Sequence, residues 1–203
     1  MTIGLTGSYC AGKNHIAKLL LSRGFDVLDV DSLGHQVLIM EEKAVIASFG
    51  EGVLGKDGLI DRKKLGERVF SSPEDLRILE NIIHPAVNTL TEEWMLAREG
   101  RDLVVNAAIL HCSSVFERLD MIILVRAPYI TRLCRARKRD KLPFLTLIKR
   151  FASQKDFNSQ YFQKRADILC IDNRGSFGPF RAFRARGLER RLDSVLARKG
   201  MDR

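Results

Sequence analysis

The feature that most constrains this chain lies within its first twenty residues. A short apolar run, Thr2 to Thr6, ends at Gly7, and a helical apolar spacing begins at Ile16, Leu19 and Leu20. Between them stands the turn Gly7-Ser8-Tyr9-Cys10-Ala11-Gly12-Lys13. A buried strand, a glycine-bounded turn and a helix form the opening of a βα unit. Similar pieces recur downstream. Phe25 to Val30 reads as a second strand ending at the Asp29–Asp31 pair, and Leu103 to Ala108 and Met121 to Val125 read as continuous apolar strands. Pro128 opens an arginine-rich helix, and Asp167 to Ile171 reads as a last strand, followed by a polar turn and a basic helix. Continuously apolar strands alternating with helices predict an α/β fold, a parallel sheet flanked by helices on both faces. Residues 41–100 are helical in pattern and too long for a plain crossover, which predicts an inserted helical subdomain over a substrate.

The turn fits G-x-x-x-x-G-K. In that spacing, successive backbone N–H groups surround phosphate oxygens, glycine supplies the backbone angles, and lysine adds a point charge. The start of the following helix presents partial positive charge to the same anion. Three fixed residues arise by chance at about 3 × 10⁻⁴ per position, so the strand-to-helix setting carries as much weight as the letters. Gly7, Ser8, Tyr9, Cys10, Ala11, Gly12 and Lys13 are therefore expected to bind a nucleoside triphosphate, with Asn14 and His15 continuing the site. A Ser or Thr hydroxyl that binds Mg²⁺ usually follows the lysine. Here Asn14 stands in its place, and its amide oxygen is a candidate Mg²⁺ ligand. Cys10 reads as a small residue tolerated in the loop rather than as a redox switch.

The net charge is +9 over 203 residues. Such an excess suits either nucleic acid or a polyanionic small molecule such as ATP. The arginine-rich helices carry few aromatics and the chain has a single Trp. That argues against single-strand or RNA platforms, so no nucleic-acid partner is expected. The basic cluster from Arg118 to Lys141 reads as functional, and the cluster from Arg181 to Lys199 as a solvated face or tail. Four scattered cysteines include no C-x-x-C pair, and no apolar run reaches about 18 residues. A reduced, cytoplasmic protein with no membrane partner is expected.

Phosphoryl transfer to an alcohol needs a carboxylate to orient the hydroxyl and take its proton. In an open α/β sheet, ligands bind beyond the carboxyl ends of the strands. Extended alternation would put Asp29 and Asp31 on one side, with Asp31 the candidate base and either residue a candidate helix cap. Arg135 and Arg139 share one helix face and are candidates to neutralise charge on the phosphates, with Arg139 and Lys13 counted as catalytic. Arg150 and Gln154 repeat the i, i+4 spacing, which predicts a lid over 135–155. His84-Pro85 follows a helical stretch; a lone histidine is more often structural than catalytic, so from the residues alone His84 reads as structural, and His35 is similarly ambiguous.

Taken in order, the motifs resemble the dephospho-CoA kinase family over about residues 2–176. The resemblance is carried by Ile3-Gly4-Leu5-Thr6-Gly7, by Val27-Leu28-Asp29-Val30-Asp31, and by Phe49-Gly50 with Asp57-Gly58-Leu59-Ile60-Asp61-Arg62 and Leu65. It continues through Val69-Phe70, Leu79-Glu80 and Ile83-His84-Pro85. Leu133, Arg135, Arg139-Asp140, Arg150, Gln154, Ala166-Asp167 and Asp172-Asn173, with Gly175 in register, complete it. The chain departs from the family pattern at Asn14-His15, where G-K-S-T is usual, and at Ala108 to Cys112, where P-L-L-x-E is usual.

The resemblance implies a P-loop NTPase fold and ATP-dependent, Mg²⁺-assisted phosphorylation of the 3′-hydroxyl of dephospho-CoA, the final step of coenzyme A synthesis. It implies substrate contacts at Asp31, Arg62 and His84, and nucleotide contacts at Arg135, Arg139 and Asn173. It also implies a nucleotide-binding core (1–40, 101–134 and 156–203), a helical CoA-gripping subdomain (41–100) and a lid (135–155). The two departures leave open a nucleotide-binding relative with little catalysis, and a kinase acting on another nucleoside or nucleotide stays the nearest enzyme alternative.

Overall fold

A computed structural model describes residues 1–144, 147–148, 151, 167–174 and 181–197. Five strands form one sheet in the order β2-β3-β1-β4-β5. They are β1 (Thr2–Gly7), β2 (Asp26–Asp29), β3 (Leu103–Asn106), β4 (Met121–Arg126) and β5 (Asp167–Asp172). β1 runs parallel to both β3 and β4, and β4 parallel to β5, with Ile3 opposite Val104 and Met121. The central strand is thus clasped by segments about a hundred residues downstream. Buried β-branched and leucine-rich runs suit such a doubly covered position.

The chain divides into two compact units, residues 1–28 with 100–203 and residues 29–99. In the first, α1 (Lys13–Leu21) and a C-terminal helix, here α7 (Arg181–Ala197), share a core cluster with the sheet. Ile3, Leu5, Met121, Ile123 and Val125 pack there with Ile16, Leu20, Leu188, Leu192 and Leu196. Ile122 and Leu124, which point to the other face by strand alternation, are also fully buried. The basic C-terminal segment is therefore not merely a solvated tail. Leucines at i, i+4 and i+8 make one stripe of α7 part of the core, and Arg191 Nη1 donates to the Asp172 carbonyl oxygen (2.7 Å). Between β4 and β5 runs α6 (Tyr129–Asp140), which ends at Lys141 in the left-handed region (φ 53°).

The second unit is helical: α2 (Val30–Met40), α3 (Glu42–Phe49), α4 (Arg62–Ser71) and α5 (Pro73–Leu96). It opens at Asp29 rather than at residue 41, because α2 packs on α5. Val45, Phe49, Val53, Leu65 and Val69 form its core. Asp61 caps α4 through Lys63 N and Lys64 N, and Ser72 caps α5 with Pro73 in the first turn. His84-Pro85 does not follow a helix but lies inside α5. A 24-residue helix tolerates an internal proline when its packed face is long enough to offset the lost backbone bond.

Leu192→Ala, which empties a fully buried position beneath the sheet, is expected to cost about 2–5 kcal/mol in chemical denaturation. A solvated tail would lose almost nothing.

Candidate functional site

The site begins where β1 runs out. Gly7 lies so close to β4 that a Cβ there would meet Val125 O at 2.7 Å. The chain then turns tightly, with Ala11 N donating to Ser8 O (2.8 Å). Cys10 adopts φ 59° and Gly12 φ 101°, both left-handed. Gly12 is the N-cap of α1, with no side chain capping the helix. The first N–H groups of a helix have no intrahelical partner, so an uncapped start suits an anion.

The loop carbonyls are taken up on the other side. Ala11 O accepts from Arg135 Nη1 (2.9 Å) and Asn173 Nδ2 (2.9 Å), and Cys10 O accepts from Arg135 Nη1 (3.2 Å). Arg135 Nη2 also donates to Asn173 Oδ1 (3.1 Å), while Asn173 N donates to Arg126 O (2.6 Å) just past β5. Arg135 and Asn173 thus buttress the loop from behind. Burial draws the Arg135 guanidinium below its ordinary value, but an arginine starts so high that it stays charged. A Cβ on Gly12 would fall 2.2 Å from Asn173 Nδ2. The second glycine is therefore required both by its backbone angle and by the clamp.

A second network joins the loop to the end of α6. The Tyr9 hydroxyl donates to Asp140, and Arg139 donates to the same carboxylate through Nε (2.7 Å) and Nη2 (3.1 Å). The Arg139 guanidinium lies over the Tyr9 ring (5.1 Å), and Phe151 meets that ring edge-on (5.4 Å). Hydrogen bonding to Asp140 holds the Arg139 charge above its usual range. Both arginines belong to α6, which runs unbroken from Tyr129 to Asp140. Arg150, Gln154 and Gly175, expected in the lid and the ending motif, lie outside the described residues.

Asn14 is exposed in the first turn of α1, and its Oδ1 accepts from Asn106 Nδ2 (3.5 Å). Asn106 ends β3, is 1% exposed, and its Oδ1 has no partner among the described residues. Two neutral amide oxygens, one of them buried and unsatisfied, are hard donors that fit Mg²⁺. Asn106 was missed in the sequence reading. Its signal was a polar residue closing the all-apolar run Leu103-Val104-Val105. Among the described residues, no group of three or more His, Cys, Asp or Glu side chains could hold a metal ion.

Asp31, Arg62 and His84 belong to the helical unit. The chain leaves the extended region at Asp29, so Asp29 and Asp31 do not alternate along one strand. Asp29 is the N-cap of α2 and accepts from Ser32 N (3.3 Å), while Asp31 is exposed in the first turn. The cap is filled by Asp29, so Asp31 is not needed for it. Arg62 is exposed at the start of α4, and His84 is partly exposed within α5. Asp57 and Gly58 shape the turn leading to α4: Asp57 accepts from Leu59 N (3.3 Å), and Gly58 has φ 78°.

A five-stranded sheet whose central strand feeds a glycine-cornered phosphate loop defines a P-loop kinase fold. Shikimate kinase from Bacteroides thetaiotaomicron shares that fold at 14% identity (TM-score 0.55, covering 97% of this chain and 98% of that one). The chain belongs to the dephospho-CoA kinase family, whose sequence profile matches residues 1–178. It is 35% identical over 182 residues to the dephospho-CoA kinase of Treponema denticola (84% of this chain, 81% of that one). It is 30% identical over 209 residues to the dephospho-CoA kinase of Treponema pallidum (98% and 95%). The crystal structure of TT1252 from Thermus thermophilus is similar at TM-score 0.80 and 33% identity, covering 98% of this chain and 97% of that one. No helix among the described residues is long and apolar enough to cross a membrane.

Burial pushes the Cys10 thiol up, and this outweighs the lowering by Arg139. Less thiolate is then present at neutral pH. Site-resolved alkylation is expected to label exposed Cys134 well before Cys10, with the Cys10 rate still climbing at a pH where an ordinary thiol has levelled off. Arg135→Ala is expected to weaken ATP binding about tenfold by calorimetry, since it removes the guanidinium donor from Cys10 O and leaves Ala11 O with Asn173 Nδ2.

Proposed function

We propose that this chain transfers the γ-phosphoryl group of ATP to the 3′-hydroxyl of dephospho-CoA, giving coenzyme A and ADP. The observation that carries the reading is the loop of a dephospho-CoA kinase family member with Cys10 O and Ala11 O pinned behind it by Arg135 and Asn173. Fixed donors that need no reorganisation at the moment of reaction are the largest common source of catalysis.

In this reading the backbone of Gly7 to Lys13 cradles the phosphates, and Lys13 places its ammonium against the β- and γ-oxygens. Arg139 offers charge to the transferring group. Asp31 orients the acceptor hydroxyl and takes its proton. Arg62 and His84 grip the CoA substrate from the helical unit, and the unit's separate core gives them a rigid platform. Mg²⁺, when bound, supplies positive charge to the phosphates. Asn14 and Asn106 would hold it, and because their amides are neutral, the nucleotide contributes most of its affinity.

A coupled assay with dephospho-CoA, ATP and Mg²⁺ tests the reading, alongside a screen of other nucleoside and nucleotide acceptors. ADP release is expected to depend on dephospho-CoA and to disappear in Lys13→Ala. Turnover no faster than that of Lys13→Ala rules the activity out. Asp31→Asn is expected to lower kcat by about 10²–10⁴ while leaving ATP binding unchanged by calorimetry. For the metal, Asn106→Ala is expected to weaken Mn²⁺ binding to the ATP complex several-fold by electron paramagnetic resonance. Binding of metal-free ATP should change little.

A further inference from the structure

We infer that Tyr9, a side chain of the phosphate loop itself, is the positioning residue for Arg139. This rests on Arg139 acting on the phosphates as proposed above. Arg139 lies one residue from the end of α6, and its side chain is 61% exposed. A long exposed arginine at a helix terminus has many rotamers to lose, so something must fix its guanidinium. Asp140 does so through two donors, Nε and Nη2. Adjacent residues on a helix do not face each other, so the pair does not form by helical geometry alone.

The Tyr9 hydroxyl supplies what is missing. It donates to the same carboxylate, and the Asp140 side chain is only 17% exposed. The Tyr9 ring adds a cation–π contact at 5.1 Å and is itself steadied by Phe151 at 5.4 Å. The arginine is thereby fixed relative to the loop that holds the phosphates rather than relative to its own helix. Among the described residues the side-on pair with Asp140 uses Nε and Nη2, and Nη1 is the end assigned to the anion. Spacing in G-x-x-x-x-G-K puts no demand on position 9. A hydroxylated aromatic there has a use only if its far end reaches something, and in this structure it reaches Asp140.

Tyr9→Phe removes the hydroxyl and keeps the ring. It is expected to lower kcat about 5- to 20-fold, with KM for ATP within about twofold and the melting temperature nearly unchanged. Asp140→Asn should do the same, and the double variant should be no slower than the worse single variant, as expected for one shared interaction. Arg139→Ala is measured in parallel. If Arg139→Ala collapses kcat while Tyr9→Phe turns over at the wild-type rate, the Tyr9 inference alone is overturned. If Arg139→Ala keeps the wild-type rate, the role of Arg139 fails and this inference fails with it. Multiplicative losses in the double variant, or a loss in Tyr9→Phe that follows melting temperature, would make Tyr9 a packing residue only.

Discussion

One acceptor organises this molecule. The carbonyl oxygen of Ala11 takes hydrogen bonds from Arg135 on α6 and from Asn173 just beyond β5, each at 2.9 Å. Three segments far apart in the chain meet at that atom. A loop that binds anions must turn its N–H groups one way and its carbonyls the other, and buried carbonyls need donors. Here the guanidinium and the amide provide them, so the loop is shaped before any nucleotide arrives. The glycine at position 12 follows from the same constraint, because the Asn173 amide occupies the space a side chain would need.

Around that point, the protein separates shape from charge. Arg135 is spent on the loop's backbone, whereas Arg139 is held by a carboxylate and a phenol at the loop's edge. Two arginines on one face of one helix thus do different work, and helical spacing alone does not distinguish them. The acidic pair divides as well: Asp29 accepts a backbone N–H as the cap of α2, and Asp31, exposed in the first turn, is not needed for that cap.

Much of this was legible in the sequence. The loop, the parallel sheet and the ordered family motifs are local patterns, and short-range geometry dictates them. What was not legible depended on partners distant in sequence. The Asp29–Asp31 pair looked extended because the preceding run is apolar, yet a cap three residues before Ser32 starts the helix earlier. His84-Pro85 looked like a helix end because proline usually is one, but packing of α5 carries the helix through it. The basic C-terminal segment looked solvated because arginine dominates its composition, although the leucine stripe was present at i, i+4 and i+8. Asn106 gains its meaning only when β3 is laid beside β1, which brings it to Asn14.

The span of the clamp also bears on how the chain comes into being. Ala11 and Asn173 are 162 residues apart, and β1 pairs with β3 and β4, which follow it by about a hundred residues. During synthesis the loop leaves the ribosome well before Arg135 and Asn173, the groups that hold its carbonyls. Contacts this distant also make for slow folding. The helical unit, whose contacts are local, can condense on its own in the meantime. A nucleotide therefore meets a finished loop only once Asn173 has been made, so products truncated before it should lack the buttress that shapes the loop.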